Sequence, residues 1–172
     1  MDKANSITIR PIEEADTEGF RQAVGIVARE TIYIRLTDAP GAEGALAFVR
    51  SNIERGNPQF VAEHDGQIVG WCDIVREDYE AERHSGSLGM GIIPEWRERG
   101  FGRRLIAATL DAADAARFSR IELTVNADNA RAIRLYESVG FAEEGRKRSA
   151  RFLEGEFRDV LVMARLSAAL AG

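Results

Sequence analysis

The sequence predicts an α/β (α+β) protein, a mixed sheet with helices packed on its faces, and three observations predict it. The periodic segments succeed one another roughly as β-α-α-β-β-β-α-β-α-β-β. Asp65-Gly66 stands between two apolar runs, a strong hairpin signal. A short apolar run at 90–93, stopped by Pro94, leads through Arg97-Glu98-Arg99-Gly100-Phe101-Gly102 into a long alanine- and leucine-rich helical pattern. The 172 residues fit one domain with a substantial core, and no linker, repeat or low-complexity tract divides 1–172.

Residues 6–12 alternate Ile7, Ile9 and Pro11 against Thr8 and Arg10, as a first strand does. Acidic Glu13-Glu14-Ala15-Asp16 suits a helix start, after which Phe20, Val24, Val27 and Ala28 share one helical face. Residues 31–37 alternate in bulk without deciding between helix and strand. Ala39-Pro40-Gly41 is a loop. A second helix over 45–55 is expected to turn Leu46, Val49 and Ile53 inward and to end at Gly56-Asn57-Pro58. Strands follow at 59–63 and 67–75, then a polar hairpin loop at 76–83 and a strand over 84–93. Gly86, Gly89 and Gly91 inside that strand suggest a bulge or the close approach of a ligand. The helix over 102–118 is expected to bury Leu105, Ala108, Ala112 and Ala116. A strand at 121–125, a capping turn Asn126-Ala127-Asp128-Asn129 and a helix over 130–139 ending at Gly140 come next. Two last strands, 141–146 and 157–166, are joined by a charged segment holding Glu154-Gly155-Glu156.

Composition narrows the function. A net charge of −5 and a pI near 5.2 give no electrostatic case for nucleic acid. One cysteine, Cys72, permits no intrachain disulfide, and with two histidines it cannot assemble a zinc set, so no metal is expected. The N-terminal MDKANSITIR has no apolar signal core and no run approaches membrane length, which points to the cytoplasm and to no membrane partner.

The glycine loop carries the chemistry. Strand, glycine loop and helix turn several backbone N–H groups toward one point, and the helix N-terminus adds partial positive charge. An anion cradle and a plain strand–turn–helix both fit the loop taken alone. It is not the dinucleotide fingerprint, because Leu105 stands where the third glycine would, and no Gly-Lys-Ser/Thr follows to make a P-loop.

A second segment changes the reading. Arg97-Glu98-Arg99-Gly100-Phe101-Gly102 followed by Asn129-Ala130-Arg131-Ala132-Ile133-Arg134-Leu135-Tyr136-Glu137-Ser138-Val139-Gly140-Phe141 resembles the GNAT N-acetyltransferase superfamily. The first matches the family's Arg/Gln-x-x-Gly-x-Gly/Ala loop at Arg97, Gly100 and Gly102. The second matches its Asn-x-x-Ala-x-x-x-Tyr-x-x-x-Gly-Phe pattern at Asn129, Ala132, Tyr136, Gly140 and Phe141. The tail, from Glu144-Gly145-Arg146 through Asp159 to Met163, is similar to the branch holding amino-acid and ribosomal-protein acetyltransferases.

The resemblance implies a largely antiparallel, mixed sheet of six to seven strands, splayed between strands four and five and flanked by about four helices. It implies acetyl-CoA as cosubstrate and direct transfer of its acetyl group to a primary amine of a small molecule, amino acid or peptide N-terminus. A catalytically silent acyl-CoA-binding module is the alternative. Pantetheine would pair with the open edge at Met90–Ile93, contacting Ile92 and Ile93. The loop Arg99, Gly100, Phe101, Gly102, Arg103 and Arg104 would hold the pyrophosphate, with Arg97 adding charge, and Asn129 is expected among both the cofactor-binding and the catalytic residues. Tyr136 would protonate the departing thiolate, and the N–H of Ile92 or a neighbour would face the developing oxyanion. On spacing alone Tyr136 is also compatible with a core aromatic beside Val139.

The family's glutamate on strand four has no counterpart, since Ser87 and Leu88 stand there, and Thr124 occupies the alternative place on strand five. Base candidates are therefore Asp73, His84, Glu30 and Glu122. The acceptor pocket is expected to draw on Glu30, Tyr33, Trp71 and Asp73. Relatives often form dimers through their C-terminal strands, so the resemblance allows a homodimer.

Overall fold

The computed structural model describes residues 6–167; residues 1–5, on which part of the leader reading falls, lie outside the described residues. The elements are β1 (Thr8–Pro11), α1 (Thr17–Ala28), α2 (Ala42–Arg55), β2 (Gln59–His64), β3 (Gln67–Arg76), β4 (Ser85–Ile92), α3 (Phe101–Ala115), β5 (Arg120–Asn126), α4 (Ala130–Ser138), β6 (Ala142–Leu153) and β7 (Glu156–Leu166). The strands form one sheet in the order β1-β2-β3-β4-β5-β7-β6. Its pairings are antiparallel except β4–β5.

That parallel pair positions the site. It holds only at Ser85↔Arg120, Gly86↔Ile121 and Ser87↔Glu122. β4 stays paired with β3 as far as Ile92, and β5 stays paired with β7 as far as Asn126. A wedge therefore opens between residues 88–92 and 123–126, and the β4 edge facing it has no strand partner among the described residues. The two sheet faces are covered separately. Trp71 on β3 meets Phe20 of α1 edge-on at 6.0 Å, while the next residue, Cys72, is hydrogen-bonded to Thr109 of α3. Successive strand residues point to opposite faces, so α1 and α3 lie on opposite sides.

Turn chemistry makes the two tight hairpins, β2–β3 and β6–β7. Asp65 and Gly66 have φ of 47° and 81°, the doubly left-handed turn that suits strand twist. Glu154 and Gly155 repeat it with 54° and 82°. Here the expectation is corrected: the charged segment after 146 is not a connection but strand, with Phe152 opposite Phe157. Its residues are mostly exposed on both faces, so no alternation marks it. The register slips between Lys147 and Arg151, where Ser149 has a φ of 51°.

Two helix faces are also corrected. α2 buries Ala45, Val49 and Asn52, leaving Ile53 49% exposed. α3 buries Leu105, Ile106, Thr109, Leu110 and Ala113 rather than the Ala108–Ala112–Ala116 row. In each helix the apolar stripe is broader than the single row chosen, and packing selects the neighbouring row. The strand-four glycines mostly serve packing. A Cβ on Gly86 would lie 2.6 Å from the Phe118 ring, and one on Gly91 2.3 Å from the Trp71 ring. Residues 31–37 form neither helix nor strand. They are tied across the sheet by Asn126 Nδ2 donating to Ile32 O and by Thr31 Oγ1 donating to Glu154 Oε1 at 2.6 Å.

Candidate active site

The wedge is a cavity of about 560 Å³. It is lined by Gly100, Gly102 and Arg103 of the glycine loop, by Asn129 before α4 and Tyr136 within it, and by Tyr33, Ile34, Arg35, Thr124 and Arg151. β4 contributes residues 87–92.

The ladder shows which β4 groups face the cavity. Ile93 N donates to Val69 O at 3.0 Å, so Ile93 turns its N–H toward β3, while its carbonyl accepts from Trp96 N. Antiparallel pairing alternates, hence the N–H and C=O groups of Ile92, Met90 and Leu88 point the other way, into the wedge. The Ile92 carbonyl is taken by Arg97 Nε at 2.7 Å. Ile92 N–H and both Met90 groups remain for a ligand. Ile93 is thereby removed from the expected edge, which runs through Met90 and Ile92.

The loop is built for an anion. Glu98 and Gly100 have φ of 59° and 78°, and Gly100 is the N-cap of α3. The amides of Phe101, Gly102 and Arg103 begin the helix and so have no acceptor within it. A Cβ on Gly100 would meet nothing within 4 Å, so conformation and not crowding asks for glycine there.

The arginines divide. Arg103 lines the cavity. Arg97 also does, but its guanidinium forms a fork with the Glu30 carboxylate (Nη1–Oε1 2.7 Å) and lies 4.8 Å over the Tyr33 ring. Its charge is thus already neutralised, and Glu30 is a partner of Arg97 rather than a free base. Arg104 turns away to donate to Ile7 O at 3.3 Å, and Arg99 lies 5.1 Å from the Trp96 ring. Phe101 packs its ring in the core against Trp96. Trp71 is buried behind Gly91 and does not line the cavity, whereas Tyr33 does.

Tyr136 lines the cavity while packing its ring 5.9 Å from Phe141, so it is both core aromatic and cavity phenol. Burial pushes its hydroxyl well above the ordinary tyrosine range, which keeps the proton on the oxygen. Asn129 caps α4, its Oδ1 accepting from Ala132 N at 3.2 Å, and thereby fixes where the helix presents Tyr136.

Asp73 is 7% exposed on β3, directly across from Gly89. Both carboxylate oxygens stand 3.5 Å from where a Gly89 Cβ would be. Burial pushes its carboxyl up to about 7. The other base candidates fall outside: His84 is exposed, and Glu122 is paired with Arg120. Arg35, Arg131 and Arg151 also reach the cavity, and sequence reasoning missed all three. Arg131 lies 5.6 Å over the Tyr33 ring.

Residues 29–141 match the Acetyltransferase (GNAT) family. The chain is a member of the GNAT acetyltransferase family. It is 32% identical over 163 residues to the L-amino acid N-acetyltransferase AaaT of Escherichia coli strain K12, covering 94% of this chain and 99% of the relative. Among solved structures it is similar to a ribosomal-protein-alanine N-acetyltransferase from Brucella melitensis, with a TM-score of 0.86, 27% identity and coverage of 93% and 99%. The fold is also that of yncA from Salmonella typhimurium, solved with its cofactor acetyl-CoA, at a TM-score of 0.89 and 21% identity over 98% of both chains. A GNAT acetyltransferase uses acetyl-CoA as cosubstrate, and the residues present fit it: an unpaired strand edge, a loop of free amides and a cationic Arg103 line one cleft.

Proposed function

We propose that this GNAT enzyme transfers acetyl directly from acetyl-CoA to the primary amine of a small molecule or amino acid. The observation that carries the reading is the open β4 edge at Met90 and Ile92, set between the loop amides at Gly100–Gly102 and the phenol of Tyr136. The amides of Phe101, Gly102 and Arg103, with the Arg103 guanidinium, hold the diphosphate. Met90 and Ile92 orient the pantetheine as an added strand would be oriented. Acetyl-CoA supplies the activated thioester.

Three residue roles complete the reading. Ile92 N–H aims a fixed dipole into the wedge where carbonyl charge develops, a contribution of ~3 kcal/mol for one such donor in other enzymes. Tyr136 holds a proton at its phenol oxygen for the leaving sulfur. Asp73, with a carboxyl pushed up to about 7, accepts the proton that the amine must lose, directly or through one water over Gly89. The relationship to AaaT supports an amino-acid acceptor.

We also assign the cytoplasm as the site of action, and a homodimer in which the C-terminal strands pair. Supporting the second is the exposed Phe152–Phe157 ring pair, 4.9 Å apart, at the β6–β7 tip. Sedimentation tests it.

The function is tested by adding acetyl-CoA and a panel of amines and reading thiol release together with product mass. Stoichiometric thiol and N-acetyl product are expected. Binding of CoA with no thiol release from any amine would overturn catalysis in favour of a silent binding module.

A further inference from the structure

Arg151 stands apart from the other half-buried arginines. Arg10, Arg97, Arg120, Arg158 and Arg165 each hold a carboxylate. Among the described residues Arg151 holds none: its Nη1 donates to Asn126 Oδ1 at 2.6 Å and its Nη2 to Thr124 Oγ1 at 3.3 Å, both neutral oxygens. Arg76 also lacks an acid, but two backbone carbonyls and the Phe118 ring cover it, away from the cavity. Arg151 instead lines the cavity, and the charge felt beside it is a second cation, Arg35. Desolvation and that neighbour both weaken its hold on the proton.

The position is held rather than incidental. Arg151 sits on β6 and reaches across β7 to β5. Asn126, buried, is itself fixed by donating to Ile32 O. Thr124 and Asn126, two residues apart on β5, face the side of the sheet opposite α3. The guanidinium is thus anchored on the side away from the α3 amides that hold the diphosphate. Keeping an unneutralised guanidinium half-buried is costly unless an anion completes it. A guanidinium with two donors already anchored presents the remaining N–H groups in a fixed plane, which suits a carboxylate.

We infer that Arg151, with Arg35 beside it, is the carboxylate-binding subsite for the acceptor, so that the acceptor is a free α-amino acid rather than a polyamine or a peptide N-terminus. The inference rests on the proposed acetyl transfer and deepens it. A polyamine would bring positive charge against two arginines, and a peptide N-terminus has an amide where the carboxylate would be. The adjacent wall, Val27 and Ile34, is apolar and suits an aliphatic or other apolar side chain.

The test takes each of the twenty L-amino acids with its amide and its decarboxylated amine, for example L-leucine, L-leucinamide and isoamylamine, with spermidine alongside. The best acid is expected to exceed its own amide and amine at least tenfold in kcat/KM. In Arg151→Gln, KM for that acid should rise at least tenfold while KM for acetyl-CoA and turnover of the amide stay level. Arg151→Lys should restore part of the loss, and a thermal melt should show both variants folded. Calorimetric titration of the acid into the protein–CoA complex should lose its signal in Arg151→Gln. Equal rates for acid and amide, a preference for spermidine, or an equal loss on every acceptor in Arg151→Gln would overturn the subsite. No turnover of any amine would instead fail the acetyl-transfer reading.

Discussion

Asp73 and Gly89 face each other across β3 and β4, with both Asp73 carboxylate oxygens 3.5 Å from the Cβ that glycine lacks. A side chain at position 89 would stand between that carboxylate and the cavity. Glycine instead leaves a buried acid directly behind the stretch of cavity wall that Gly89 forms.

The pH behaviour of Asp73 follows. Folding lifts its pKa from 3.8 to about 7, so between those values the native state binds a proton that the unfolded chain releases. The site is therefore neutral for stability at low pH and costs stability as pH rises through that window. Asp73→Asn should be more stable than the parent at pH 8 by roughly 4 kcal/mol, with the advantage vanishing near pH 4. In the parent, kcat/KM should climb with pH through an apparent pKa near 7. The variant should lose that limb and fall about a hundredfold or more in turnover. Denaturant melts and rate profiles across pH 4–9 check both.

Tyr136→Phe removes the phenol while keeping the ring against Phe141. Turnover should drop by about tenfold to a hundredfold with acetyl-CoA affinity nearly unchanged. Unaltered kcat would retire Tyr136 as proton donor. A loss of melting temperature alone would leave it a core residue.

Gly100→Val places a β-branched residue at a φ of 78°. The strain should cost about 1–3 kcal/mol, and the loop amides should turn away from their common focus. Acetyl-CoA affinity, read by calorimetry, should weaken at least tenfold. Gly102→Ala is the milder comparison, since its Cβ would lie 3.5 Å from Leu135, an ordinary contact.

Glu30→Gln breaks the fork with Arg97 and leaves a half-buried cation held by the Ile92 carbonyl and the Tyr33 ring. Stability should fall by about 2 kcal/mol. Acetyl-CoA should bind at least as tightly as before, because Arg97 is no longer neutralised beside the phosphate loop. A base role for Glu30 would show instead as loss of turnover at unchanged stability.

What could be read from the chain depended on how local the cause was. Asp65-Gly66 and the loop Arg97–Gly102 announce themselves because turn geometry is decided by neighbouring residues. The β6–β7 hairpin turns on an equivalent Glu154-Gly155 pair, yet an exposed charged strand carries no alternation to flank it. Glu30 and Trp71 were expected at the acceptor pocket, but an ion pair with a residue far along the chain and a neighbouring glycine draw them elsewhere. Arg151 has no local signature at all. It matters because a long side chain spans β7 to meet Asn126, a juxtaposition made by strand order alone.

A crystal of the protein with acetyl-CoA tests the central claim most directly. The account predicts the diphosphate on the amides of Phe101–Arg103, the pantetheine paired with Met90 and Ile92, and the sulfur within hydrogen-bonding distance of the Tyr136 phenol. Acetyl-CoA bound away from the β4–β5 wedge, or bound there with Tyr136 turned from the sulfur, would contradict it.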